Sequence, residues 1–231
     1  MKEDKNGYFR FPHTPHIQWL GVGEPRDDKL LSLQDLEELL SGAVVIEEKL
    51  DGANIGFSLN SRKKIQVQNR GAYMEPPFSG QFSRLNGWLV QFAYRLEPQL
   101  TDNLIAFGEW CAAKHTLRYD RLPDYFLLFD VYDKKEGKFW SVSRRNEWAH
   151  GLDIHTIPIF TKGYYSIADL QDLLFSVKSF YREGFPEGII VRNDDILWNR
   201  KRGKLVRAEF VQSIETHWRS KQIEWNGLAD L

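Results

Sequence analysis

The stretch Lys49-Leu50-Asp51-Gly52 constrains this chain more than any other. It follows the apolar run Ala43 to Ile46 and the acidic pair Glu47-Glu48. Such a run reads as a buried strand, so the lysine stands at the end of a strand. A lysine ammonium is strongly hydrated and costly to bury. Taken out of water and set near other cations, its pKa falls and the neutral amine becomes a nucleophile. Gly52 permits a tight turn and a close approach by a ligand. The same residues also read as a strand end with a solvated lysine and an Asp-Gly turn. The rest of the chain has to decide between these two readings.

Charge and cysteine content narrow the setting. With 31 Lys+Arg against 32 Asp+Glu in 231 residues, the formal net charge is -1, so global charge does not advertise a nucleic-acid partner. Its distribution says more. Acidic residues outnumber basic ones between Glu24 and Asp51, whereas Arg200, Lys201, Arg202, Lys204 and Arg207 form a basic cluster with no acid among them. A cluster of that kind can build a local anion-binding face on a neutral protein. The single cysteine, Cys111, rules out an internal disulfide and a cysteine-based zinc site, and fits a reducing, cytoplasmic setting. Met1 to Arg10 has no apolar core like that of a signal peptide, and no apolar stretch approaches a membrane span.

Strands and helices are predicted in mixed order. Residues 1–31 read as an irregular N-terminal arm broken by Pro12, Pro15 and Pro25. A helix is expected from Ser32, with Asp35 three residues later and Leu33, Leu36, Leu39 and Leu40 on one apolar face. Strands are expected over Val44 to Lys49, Ile55 to Leu59, Ile65 to Asn69, Leu104 to Trp110, Tyr125 to Asp130, Gly188 to Arg192 and Lys204 to Phe210. Further helices are expected over Gln81 to Leu96, Ser143 to His150 and Ser166 to Tyr181. The lack of regular alternation predicts an α+β fold, in one domain over residues 1–231. Cys111 and the tryptophans at 88, 140 and 148 read as core, and His115 and His155 as structural.

Several strands carry a charged group at an end. Glu109 sits in Phe107-Gly108-Glu109-Trp110, Asp130 closes Phe126-Leu127-Leu128-Phe129-Asp130, Glu187 opens Glu187-Gly188-Ile189-Ile190-Val191-Arg192, and Lys204 opens Lys204-Leu205-Val206-Arg207. Singly, each is a plausible solvated cap. Together, in this order behind Lys49, they resemble the covalent nucleotidyltransferases, the polynucleotide ligases and capping enzymes. Within that superfamily the chain is most similar to the ATP-dependent RNA ligases of the group typified by phage T4 RNA ligase 2. Ala113-Lys114-His115-Thr116, then Leu122-Pro123-Asp124-Tyr125-Phe126 leading into Phe129-Asp130-Val131-Tyr132-Asp133, carries much of that likeness. The arm Phe11-Pro12-His13-Thr14-Pro15-His16 is a weaker echo.

The resemblance implies a nucleotidyltransferase (adenylation) domain and a set of roles. Lys49 would attack the α-phosphate of ATP and become lysyl-AMP. Glu109 would accept hydrogen bonds from the ribose hydroxyls. Phe129 would stack on adenine, with Ile189 or Ile190 covering the other face, and Glu47 or Glu48 would meet the exocyclic amine. Glu187 would hold Mg²⁺ or Mn²⁺ through water, and Lys204 would offset charge on the α-phosphate. Metal and Lys204 together would keep Lys49 neutral against a reference pKa of about 10.4. Arg70 would bind a phosphate of the RNA. Asn54, counted with the nucleotide-binding residues, stands where many DNA ligases have arginine, which favours RNA.

Two features depart from the family pattern. The T4-type enzyme has Lys-x-Lys in its last motif; here the second position is Val206, so Arg202 or Arg207 has to supply the further cation. Only 24 residues follow Arg207 (231 − 207 = 24), too few for the OB-fold module of DNA ligases and capping enzymes. The expected activity is joining of 5′-phosphate and 3′-hydroxyl RNA ends in RNA repair, a role compatible with an end-processing kinase or phosphatase, or an RNA-binding protein, as partner. The rival readings are a DNA nick-sealing or capping-type enzyme, and a non-catalytic nucleotide- or RNA-binding module.

Overall fold

The computed structural model describes residues 8–23, 30–211 and 223–229; Pro25 lies outside them. Two sheets hold all the named strands, and every pairing between these strands is antiparallel. The first sheet runs in the order β10 (Asn199–Val206), β9 (Gly188–Asp194), β1 (Val44–Lys49), β8 (Ile159–Gly163). The second runs β4 (Tyr73–Met74), β3 (Ile65–Asn69), β2 (Ala53–Leu59), β5 (Leu104–Trp110), β6 (Phe126–Asp133), β7 (Lys138–Phe139). This is the expected α+β class, with antiparallel sheets flanked by helices.

In the first sheet, period-two alternation separates a dry face from a charged one. Val44, Ile46, Ile189, Val191 and Leu205 pack with Leu39 of α1 (Leu33–Leu40) and with Leu170 and Leu174 of α4 (Ile167–Ser176). The opposite face carries Glu47, Lys49, Ile190, Arg192, Arg202 and Lys204; the registers set Glu47 beside Ile190, Lys204 beside Ile190, and Arg202 beside Arg192. Ser32 caps α1 by accepting the Asp35 backbone N–H at 3.1 Å. Leu33 departs from the expected apolar face: it opens the helix outside the core and is 81% exposed.

The second sheet is covered by α2 (Leu85–Leu96), whose Trp88 stacks between Phe57 and Phe92 and donates its indole N–H to Asp124 at 2.8 Å. α3 (Val142–Gly151) adds Ala149 to the same core. The arm is irregular, as expected, but it belongs to the core. Phe9 and Phe11 are buried against Ile105, Phe107, Tyr132 and Phe139. Burying a phenylalanine is worth about 1.5–3 kcal/mol, which is what fixes a segment without a ladder of its own. Pro15 and Ile17 further pair with the backbone of Lys204 at 2.9 and 2.8 Å.

Three expected boundaries move for identifiable reasons. The helix expected from Gln81 starts at Leu85, after a 3₁₀ turn at Gly80–Phe82, because the Gln81 carbonyl turns to accept the Trp110 indole N–H at 2.8 Å. The helix expected to reach Tyr181 stops at Ser176, because Ser179 and the Phe180 N–H are drawn to the buried Glu48 carboxylate. The strand expected to reach Phe210 ends at Val206, and a short helix α5 (Ala208–Val211) follows.

Candidate active site

The chain crosses from the first sheet to the second at Leu50-Asp51-Gly52. Lys49 is the last residue of β1 and Ala53 the first of β2, so the lysine stands where the two sheets diverge. Gly52 is required by proximity to protein rather than to a ligand: a Cβ there would meet the Trp110 carbonyl oxygen at 2.6 Å. Asp51 pins the crossing. Its Oδ2 accepts the N–H groups of Thr116 and Leu117 at 2.7 and 2.8 Å, and its own N–H donates to the Tyr119 hydroxyl at 2.8 Å.

A cleft of about 470 Å³ opens over this crossing, lined from both sheets and from the arm. Lys49 Nζ lies in it, 2.5 Å from Glu187 Oε2, with the lysine side chain 24% exposed. Glu187 immediately precedes β9, whose Gly188 sits beside Lys49. Glu109, on the face of β5 that follows Ile105 and Phe107, accepts the Gly52 N–H at 3.0 Å and stands beside Asn54 in the ladder. The Asn54 Oδ1 atom is buried without a hydrogen-bond partner, an acceptor available to a donor in the cleft.

These groups strain one another electrostatically. Burial lifts Glu109 to about 7; the Lys49 ammonium opposes the rise, and the charges of Glu187 and Asp51 add to it. Burial also raises Glu187, again against Lys49. For Lys49, burial disfavours the ammonium, but the carboxylates of Glu187, Glu109 and Asp51 outweigh it and its pKa is raised. A neutral Lys49 is expected with a divalent cation and Lys204 beside it; the three carboxylates by themselves favour the ammonium.

Phe129 reaches the cleft through a β-bulge. The β5–β6 register passes from Phe107–Asp130 to Gly108–Leu128, leaving Phe129 as the extra residue. A bulge re-aims a side chain and removes its residue from the ladder. The carbonyl of Phe129 is taken instead by Arg145 Nη1 at 2.5 Å and Arg192 Nη1 at 3.2 Å. Arg145 also donates to Glu47 Oε1 at 2.6 Å, and Arg192 to Asp130 Oδ1 at 2.8 Å. Arg202 pairs with the other oxygen of Asp130 and lies over the Phe11 and Phe139 rings. A charged floor thus ties the two sheets together below the cleft. Neither Arg145, in a helix remote in sequence, nor the bulge carried a signal in the sequence reading.

The structure separates the alternatives left open. Ile190 lines the cleft; Ile189 does not, because alternation turns it into the helix-side core, fully buried. Glu47 lies on the cleft face, engaged by Arg145. Glu48 also borders the cleft, but its carboxylate is taken by Ser179 Oγ at 2.5 Å and the Phe180 N–H at 2.9 Å. Arg202 and Lys204 line the cleft. Arg207, the other candidate for the further cation and, like Arg202, expected to contact RNA, does not line the cleft: it donates to the Leu174 carbonyl at the end of α4 and to Glu209, and packs on Phe175 and Phe185. Arg70 stands exposed at the rim, 2.9 Å from His13 Nδ1. Cys111 is fully buried, its thiol pushed well up by burial. His115 contacts Gln81 Oε1 at 2.6 Å, and Lys114 pairs with Glu224 at 2.7 Å.

No group of three or more His, Cys, Asp or Glu side chains forms a closed metal cage among the described residues. The donor set still fits a hard divalent cation held by one or two carboxylates plus water. Glu187 and Glu109 are buried oxygen donors under mutual repulsion, which a cation would relieve. No described helix is long and apolar enough to cross a membrane.

The family model for RNA ligase matches residues 42–206, from just before β1 to the end of β10. Among solved structures, a variant of a Naegleria gruberi RNA ligase with ATP and Mn matches at TM-score 0.60 and 15% identity, over 88% of this chain and 57% of that one. The same ligase with PPi matches at TM-score 0.58 and 16% identity, over 86% and 62%. Another variant with ATP and Mn matches at 0.56 and 15%, over 77% and 53%. At these identities the likeness is one of fold, and this chain spans less than two thirds of the length of those ligases. No curated protein matches.

Proposed function

This chain belongs to the RNA ligase family, and from that premise we propose that it is an ATP-dependent RNA ligase that joins 5′-phosphate and 3′-hydroxyl RNA ends through a lysyl-AMP intermediate on Lys49. The observation that carries the reading is that Lys49, Glu109 and Lys204 line one cleft with Phe129 and Ile190, while Glu187 is bonded to Lys49 Nζ at 2.5 Å. A likeness to the group of phage T4 RNA ligase 2 and the single-domain reading of residues 1–231 belong to the same proposal.

The roles follow from chemistry. The nucleotide base lies between Phe129 and Ile190, and Glu109 accepts from ribose hydroxyls. Glu47 is the acidic residue on the base side of the cleft, and Asn54 offers its unpaired oxygen to a hydroxyl or amine donor. Lys49 must lose its proton before it attacks. Its side chain is 24% exposed, so the proton can leave to solvent, and the Glu187 carboxylate 2.5 Å away stays ionised as an oxygen donor. A Mg²⁺ or Mn²⁺ held by Glu187, with Glu109 nearby, would supply neutralisation of phosphate charge and would relieve the carboxylates that now hold the ammonium charged. Lys49 Nζ then forms a bond to the α-phosphorus while the bond to pyrophosphate breaks. Lys204 and Arg202 offset charge on the phosphates. AMP passes to the RNA 5′-phosphate, and the 3′-hydroxyl displaces it. Arg70, at the rim, binds an RNA phosphate.

Incubation with ATP and Mg²⁺ followed by intact-mass measurement is expected to show one AMP added, absent in Lys49→Ala. A wild-type protein that binds ATP without any covalent product would instead support a non-catalytic binding module. Sealing of nicked RNA but not nicked DNA by the adenylylated protein separates the RNA reading from the DNA one.

A further inference from the structure

We propose that residues 223–229 act as a strap that positions the Lys49 crossing, with Asn226 as its positioning residue. The inference rests on the assignment of Lys49 as nucleophile, but it concerns chain outside the residues matched by the family model.

The observation is a chain of hydrogen bonds. Residues 111–122 contain no helix or named strand, so their buried backbone groups need partners from elsewhere. The strap supplies them. Asn226 is buried, 4% exposed. Its Oδ1 accepts the Tyr119 N–H at 2.9 Å, and its Nδ2 donates to the carbonyls of Cys111 and Ala113 at 2.9 and 3.2 Å. Its own N–H donates to the Ala112 carbonyl at 2.9 Å. Gly227 adds an N–H to the Tyr119 carbonyl at 2.9 Å and accepts from the Leu122 N–H at 3.1 Å, and Lys114 N–H donates to Glu224 at 2.8 Å.

The segment so held is the one that grips Asp51. Tyr119 takes the Asp51 N–H, and the Asp51 carboxylate takes the N–H groups of Thr116 and Leu117. Asp51 is two residues from Lys49, and its carboxylate is among the charges that set the Lys49 ammonium. Cys111, whose carbonyl Asn226 holds, is two residues from Glu109. One buried amide therefore reaches both the nucleophile and the cleft carboxylate, each through a short stretch of backbone. A shift of about 1 Å in a reacting group can cost about 100-fold in rate, so the strap sets the rate of AMP transfer rather than the affinity for ATP.

The test compares Asn226→Ala, Tyr119→Phe and the double variant. Tyr119→Phe removes only the hydroxyl that accepts from Asp51. Single-turnover transfer of AMP to Lys49 is expected to slow about 10- to 100-fold in each single variant, with half-saturation by ATP within about twofold of wild type. The double variant is expected to be no slower than the slower single one, because both changes break the same path. A merely structural role would lower the melting temperature and the reactive fraction but leave the rate constant of the reactive fraction alone. Wild-type rates in both single variants, effects that multiply in the double variant, or a loss confined to ATP affinity would overturn the proposal. If Asn226→Ala does not fold, Asn226→Ser takes its place. Should the wild type form no adduct at all, the ligase assignment is what fails. Hydrogen exchange at the Thr116 and Leu117 amides then decides the strap on its own: faster exchange in Asn226→Ala supports it, and unchanged exchange refutes it.

Discussion

Replacing Glu109 with glutamine should stabilise the protein near pH 8 while abolishing its proposed chemistry. The two side chains have the same shape, and the glutamine oxygen can still accept the Gly52 N–H that Glu109 accepts at 3.0 Å. What changes is the charge. Glu109 is raised from 4.5 to about 7 in the folded protein, and at about 1.4 kcal/mol per pH unit this amounts to about 3 kcal/mol. The sign follows from proton counting. Between these values the folded state binds more protons than the unfolded chain, so stability is full below the unfolded value and is lost as pH rises through about 7. Glutamine removes that loss. The pull of the Lys49 ammonium is already contained in the value of about 7; burying the new amide N–H group subtracts from the gain and leaves about 1–3 kcal/mol at pH 8. For a domain of this size that is a rise of roughly 2–10 °C in melting temperature, with no rise at pH 4, where both forms are neutral. Calorimetry of the two proteins across pH 4 to 8 reads this directly. An equal melting temperature at pH 8, or a difference independent of pH, would refute the account of the cleft as a repulsive carboxylate cluster. AMP transfer to Lys49 should fall in the same variant, since binding sites are held at the expense of stability.

Other changes probe the remaining parts of the site. Phe129→Leu should raise the KM for ATP by a factor of about 5–10, the loss of an aromatic stack of about 1 kcal/mol or more, with little change in melting temperature; an unchanged KM would remove Phe129 from the base pocket. Arg145→Met should destabilise the protein by about 3–5 kcal/mol, because it leaves Glu47 charged and buried. Adding Glu47→Gln should recover a large part of that loss, which denaturant titration of the single and double variants would show. Arg207→Ala should lower the melting temperature without changing RNA affinity, because its guanidinium is spent on Leu174, Glu209 and two phenylalanine rings; weakened RNA binding with unchanged stability would restore it to the interface.

Much of this molecule could be read from the order of its residues, because the relevant signals are local. The strand ending at Lys49 was recognisable from an apolar run that stops at a charge, and that of Leu104–Trp110 from a run of apolar residues carrying Glu109 near its end. The cap of α1 followed from Ser32 and Asp35 standing three residues apart. The family resemblance brought Lys49, Glu109, Phe129, Glu187 and Lys204 into one list, and those side chains do meet. What depended on long-range contact was out of reach. Which isoleucine faces the cleft was decided by the register of β9 against β1, and which arginine by the end of β10 at Val206, beyond which Arg207 is drawn to α4. The protonation of Lys49 depends on carboxylates 60 and 138 residues away along the chain, since 109 − 49 = 60 and 187 − 49 = 138. The bulge at Phe129 is held by Arg145, and the end of α4 is set by a demand from Glu48. Hydrogen-bond partners and electric fields act through space, whereas capping and alternation act along the chain; the first kind appears only once the sheets have closed on each other.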